Sequence, residues 1–113
     1  MEQTKQGRSC AIRKLNDDLR TGGSGGQVFI TRGVQAIGEA CVSAAINALR
    51  TFDEFTPDND PNGEHDFGRI VIEGEPLFWK IDYYDENREF GSIDPSDPER
   101  TTRVLTLMLA GEY

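Results

Sequence analysis

The sequence predicts an α+β domain of two layers, a small, mostly antiparallel sheet (one strand plus a hairpin) packed by three helices. Three observations carry this. Apolar residues recur at helical spacing in two separate stretches. Two alternating apolar runs are separated only by Glu73-Gly74-Glu75-Pro76. An Asp-Pro pair at 97–98 precedes a third apolar stretch.

Taken in order, residues 1–7 are expected to be disordered and residues 8–113 to form a single domain. Ser9 is placed to cap a helix running to about Arg20, with Ile12, Leu15 and Leu19 on one face and Arg8, Arg13, Lys14 and Arg20 making the others basic. The run Gly22-Gly23-Ser24-Gly25-Gly26 breaks regular structure. It lacks the Lys-Ser or Lys-Thr of a phosphate-binding loop. Val28 and Ile30 alternate in a short strand over 27–31. From Gly38 to Phe52, Val42, Ala45, Ile46, Leu49 and Phe52 form the clearest helical stripe. After a polar loop to Asp66, residues 68–73 and 77–84 read as the hairpin, with Ile70, Ile72, Leu77, Trp79, Ile81 and Tyr83 turned to the core. Asp97 then caps a helix whose first position is Pro98, packed by Val104, Leu105, Met108 and Leu109.

Charge is distributed unevenly. The 113-residue chain has a net charge of −8, yet residues 53–99 hold fifteen acids against three bases, a net of −12. Residues 1–52 are +3 and residues 100–113 are +1. Such a field repels nucleic acid and membrane surfaces and attracts basic proteins or divalent cations. No apolar run approaches the roughly 20 residues that span a bilayer, and the N-terminus lacks a signal peptide's apolar centre, so a cytoplasmic protein is expected. Cys10 and Cys41 lack metal-ligand spacing and read as buried free thiols, with a tether between the first two helices as the alternative.

The densest polar cluster is Asp58-Asn59-Asp60-Pro61-Asn62-Gly63-Glu64-His65-Asp66. Asp58, Asp60 and Asn62 followed by Gly63 match the first half of a calcium loop, and Asp66 falls at its ninth position. The twelfth position is Arg69, where a bidentate Glu is needed. A metal-dependent enzyme would centre on Asp60, Glu64, His65 and Asp66, with a divalent metal polarising water or substrate. No serine or cysteine lies nearby in sequence to serve as a nucleophile. Side chains bonding loop amides are the simpler reading of the same cluster. Trp79 with Tyr83, and Phe78 with Tyr84, read as hairpin packing, since acids are interleaved where a base-stacking surface would need cations.

At EHDFG (64–68), WKIDYYD (79–85) and TTRVLTLMLAGEY (101–113), the chain resembles the bacterial domain of unknown function 3768. The similarity runs from about Ile12 to Tyr113. It follows the family pattern at Asn59, Asp60, Pro61, 63–68, 80–85, Asp94, Pro95 and 103–106. The resemblance implies a compact bacterial protein and no established activity. An aromatic residue is common in that family where Asn62 stands here, which argues against a calcium loop.

Two functions follow as expectations. The first is a small acidic protein-binding module, an inhibitor that occupies the nucleic-acid groove of a bacterial defence enzyme of the CRISPR or restriction type. Its contacts would be Asp58, Asp60, Glu64, Asp66, Asp85, Glu86, Glu89 and Asp94. Its partner would be the basic surface of a protein, with no direct nucleic acid, no membrane and no cofactor. The alternative is the metal-binding domain or enzyme, with Asp58, Asp60, Asn62 and Asp66 as ligands. Carboxylates that merely solvate a face are the competing explanation of the charge.

Overall fold

Helix α1, Lys5–Gly22, is longer than its apolar stripe requires. The computed structural model describes residues 5–113. Of the stretch 1–7 expected to be disordered, residues 1–4 lie outside the described residues and 5–7 belong to α1. Ser9 consequently sits within the helix instead of capping it. Gly23, at φ 73°, donates its amide to Leu19 O and closes the helix in the left-handed conformation that glycine adopts without cost.

Strand β1 (Gln27–Ile30) leads directly into α2, Arg32–Ile37, a six-residue helix absent from the sequence expectation. Thr31 caps it by accepting from the Val34 amide. Gly38 separates α2 from α3, Glu39–Thr51, the helix expected at 38–52. The hairpin also forms: β2, Phe67–Ile72, pairs antiparallel with β3, Glu75–Tyr84. Its turn is Glu73-Gly74, with φ 51° and 83°. Two consecutive left-handed residues twist with the strands, as a two-residue hairpin demands.

The C-terminal helix does not form. Thr102–Leu109 is instead strand β4, followed by a 3-10 turn at Ala110–Glu112. β4 pairs antiparallel with β3 (Tyr84 opposite Thr102 through Leu77 opposite Leu109) and parallel with β1 (Gln27 opposite Val104). The sheet order is therefore β1-β4-β3-β2, a mixed four-stranded sheet. An interior strand with apolar residues on both faces reads as a continuous apolar run, which periodicity alone cannot separate from a helix. The Asp97-Pro98 signal makes only a turn, with Asp97 accepting from the Glu99 amide.

The helices pack on one sheet face. Leu19 of α1, Val34 of α2, and Ala45 and Leu49 of α3 meet Ile70, Leu77, Trp79, Ile81, Leu105 and Leu107. Burying a large side chain such as Leu77 or Leu105 contributes roughly 1.5–3 kcal/mol. Gly68 has to be glycine, because a Cβ there would lie 2.3 Å from Trp79 Nε1 and 2.9 Å from Phe52 Cζ. The architecture is α+β, three helices over a four-stranded sheet. No helix among the described residues is long and apolar enough to cross a membrane.

Candidate functional site

The loop between α3 and β2 folds around Asp60. Asp60 is buried, and its Oδ1 accepts the amides of Glu64 (3.1 Å) and His65 (3.2 Å) while its own amide donates to Thr56 O. A short acidic side chain that closes a turn on following amides is a common use of Asp in loops. Gly63, at φ 67°, supplies the turn.

His65 also lies in left-handed conformation, at φ 56°, which few non-glycine residues adopt. Three interactions hold it there. Nδ1 meets Asp17 Oδ1 at 2.9 Å, Nε2 stands 3.7 Å from Asp60 Oδ2, and the ring stacks on Phe55 at 3.7 Å between centroids. Asp17 accepts from Arg20, which is 6% exposed and also donates to the carbonyls of Leu49 and Phe52. Arg20 was expected on a basic surface; it is instead buried and clamps the end of α3. Its guanidinium lies 5.3 Å from the Phe55 ring and 5.6 Å from that of Trp79.

A second chain of contacts joins this loop to the sheet. Asn16, fully buried, donates through Nδ2 to Glu64 O (3.0 Å) and to Tyr83 Oη (2.8 Å). Tyr83 donates to Glu64 Oε1 at 3.0 Å. Arg103 Nε donates to Asn16 Oδ1 at 2.8 Å, and its Nη2 to Pro95 O. Burial raises the Tyr83 phenol pKa against the hydrogen bond from Asn16, and the charges of Asp66 and Glu64 add to the rise. Burial also pushes the Asp66 carboxyl up, helped by Glu64 and Asp60. Desolvation lowers Arg103, opposed by Tyr83 and Glu64.

These contacts occupy much of the first acidic loop internally. Asp58 is exposed, whereas Asp60 is buried and Glu64 and Asp66 are half-buried. Both oxygens of Asp60 face Glu64 and His65 of its own loop. Among the described residues, no three His, Cys, Asp or Glu side chains are grouped to hold a metal ion. An open cavity of about 730 Å³ borders the loop, lined among others by Ser9, Cys10, Arg13, Phe55 and His65. α1 thus brings a serine and a cysteine, distant in sequence, to the same cavity that His65 lines. The Cys10 thiol accepts from Arg13 Nη2 at 3.1 Å. Cys10 is exposed and Cys41 buried, both free, which corrects the expectation of two buried thiols.

The second acidic loop behaves differently. Asp85 Oδ1 accepts the amides of Asn87 and Glu89, and its own amide donates to Phe90 O at 2.7 Å. Ser92 N donates to Tyr83 O, so the loop is closed at its base. The closed turn directs Phe90, 71% exposed, and Ile93, 78% exposed, outward beside exposed Glu86 and Glu89. Asp94 is paired at the surface: its hydrogen bonds with Ser96 and the nearby Arg8 guanidinium lower its pKa.

Both loops leave the same end of the sheet, since Ile81 N donates to Asp66 O and Asp85 follows β3 directly. α1 supplies a guanidinium to each: Arg8 bonds Asp94 at 3.3 Å, and Arg13 lines the cavity at Gly63. Of the eight predicted contact acids, Asp58, Glu86 and Glu89 are exposed.

A family model described as protein of unknown function (DUF3768) matches residues 30–112. The chain belongs to the DUF3768 family. The match takes in the Asp60–His65 turn, Tyr83, Arg103 and the Phe90 loop, but not α1, which supplies Asn16, Asp17 and Arg20. No curated protein and no solved structure matches this DUF3768 member.

Asn16, Asp17, Phe90 and Ile93 were not singled out from sequence, Arg20 was read only as part of a basic helix surface, and Arg103 only as part of the family pattern. Asn16 carried a signal, a polar residue four positions after Ile12 on an apolar helix face.

Proposed function

We propose that this DUF3768 protein is an acidic protein-binding module that applies the loop at 85–93 to a basic surface of its partner. The carrying observation is Phe90: a large aromatic side chain 71% exposed on a turn closed by Asp85, with Glu86 and Glu89 beside it. An exposed aromatic anchor with carboxylates beside it is a binding feature, because the ring contributes buried area and the carboxylates bias the partner's sign; among the cations near this loop, Arg88 donates to Gln27 at 2.8 Å and Arg100 shares the cavity with Phe90. The hydrogen bonds that close the turn at Asp85 and Ser92 support the reading, since a loop already held in shape loses less conformational entropy on docking. Asp58 extends the negative field from the neighbouring loop, while Asp60, Glu64 and Asp66 are taken up by contacts inside the fold and Asp94 by Ser96 and Arg8 at the surface.

The partner class whose chemistry fits is the cationic nucleic-acid groove of a bacterial defence enzyme, where carboxylates replace phosphates and Phe90 enters an apolar recess. The test is DNA cleavage by purified restriction and CRISPR nucleases, titrated with the wild-type protein, Glu86→Lys/Glu89→Lys and Phe90→Ser across a salt series. Inhibition that weakens with ionic strength and falls at least about tenfold in each variant is expected. Inhibition indifferent to all three substitutions, or none across the enzymes tried, overturns the proposal.

A further inference from the structure

Strand β2 is an edge of the sheet, since the order β1-β4-β3-β2 pairs it on one side only. Ile81 N donates to Asp66 O, and the register runs without a bulge from Phe67 opposite Lys80 to Ile72 opposite Glu75. In an antiparallel ladder alternate residues bond the neighbouring strand, so Gly68, Ile70 and Ile72 face β3. Phe67, Arg69 and Val71 therefore turn their N–H and C=O groups away from the sheet, and among the described residues nothing bonds those groups. Natural edges are guarded by proline, a bulge or charge. β2 contains no proline, and its one charge is Arg69. The opposite edge is blunted: β1 is four residues long, and Gln35 Nε2 donates to Ile30 O at 2.7 Å. Beside β2, a cavity of about 420 Å³ separates the strand from the end of α3. Ala48, Phe52, Ile70 and Val71 line it together with exposed Asp53 and Glu54.

We infer that this edge docks an extended segment of a partner protein bearing lysine or arginine, which joins the sheet as a further strand beside β2. Main-chain bonds to residues 67, 69 and 71 supply affinity, and alternate side chains of the added strand supply specificity. Those on the helix side meet Ala48, Phe52 and Ile70, which accept an aliphatic group. Charge selects the residues flanking it. Asp53, Glu54, Glu73 and Glu75 are all exposed around the edge, and among the described residues none of them forms an ion pair. Arg69 alternates with core Ile70, so its side chain lies on the sheet face away from the helices. The same acids disfavour other occupants. A second copy paired edge to edge brings like carboxylates together, and a phosphate backbone meets the same repulsion. Phe90, Glu86 and Glu89 lie outside this edge, which stands apart from the loop at 85–93.

The test selects a phage-displayed library of random peptides roughly ten residues long, a natural strand length, against the whole protein. Selected sequences are expected to place lysine or arginine beside aliphatic residues. The leading peptide is then synthesised with a fluorescent label and its affinity read by anisotropy. Val71→Pro removes an N–H that points away from β3, a position where an edge strand tolerates proline. Asp53→Lys/Glu54→Lys reverses the charge of the groove from outside the sheet. Each variant should weaken the peptide at least about tenfold, and added salt should weaken it on the wild-type protein. Fluorescence of Trp79, which lies against Gly68, reports whether β2 is in place. The charge variant keeps the test open if Val71→Pro fails to fold. A library without binders, binders lacking basic residues, or binding that survives either folded variant overturns the inference. So does binding abolished by Glu86→Lys/Glu89→Lys, which places the peptide on the acidic loop. A wild-type dimer in ultracentrifugation that Val71→Pro dissociates also overturns it, because the edge then holds a second copy.

Discussion

Asn16→Ala tests whether the buried polar network, in addition to the apolar core, holds α1 to the sheet. Asn16 is fully buried and spans three elements, donating to Glu64 O and Tyr83 Oη and accepting from Arg103 Nε. Alanine leaves the Arg103 Nε donor and the Glu64 carbonyl without this partner in a dry setting. An unsatisfied buried group costs about 1–3 kcal/mol, more beside a charge, and Arg103 is 1% exposed. The helix propensity of alanine returns roughly 0.5 kcal/mol. The expected net loss is about 3–4 kcal/mol, a large part of the 5–15 kcal/mol typical of a domain. At about 4 °C per kcal/mol for a chain this size, Tm falls by roughly 12–16 °C. Urea unfolding followed by Trp79, the single tryptophan and fully buried, measures it directly. Asn47→Ala, on the exposed side of α3, is the control and should change little. A loss below about 1 kcal/mol for Asn16→Ala, with the m-value unchanged, would refute the network's role.

Asp66 and the two thiols give further expectations. Folding raises the Asp66 pKa above 3.8 through burial and the charges of Glu64 and Asp60, so folding favours its protonated form. The stability it contributes is complete below 3.8 and is lost as pH rises through the folded value. Asp66→Asn, which imitates the protonated group, should therefore raise Tm at pH 7, with the gain shrinking toward pH 3.5; a lower Tm at pH 7 would contradict this assignment. Cys10 should react with a maleimide in the native protein while Cys41 reacts only on unfolding, counted by intact mass. Equal native labelling of both would contradict the packing of α3.

The amino-acid pattern was sufficient for α3, for the hairpin and for the α+β class, because these rest on short-range periodicity and a two-residue turn. It could not separate β4 from a helix: Val104, Leu105, Met108 and Leu109 suit either, and the choice depends on β1 and β3 lying to both sides. α2 is too short for a period to register. The charge bias of residues 53–99 was visible as a count, but not which carboxylates reach solvent. Folding turns Asp60 onto its own loop's amides and couples Glu64 to Tyr83, while Glu86 and Glu89 stay outside. Burial and pairing are decided by neighbours that arrive from distant parts of the chain. For the same reason, the meeting of Asn16 with Arg103 across 87 positions belongs to the tertiary structure alone.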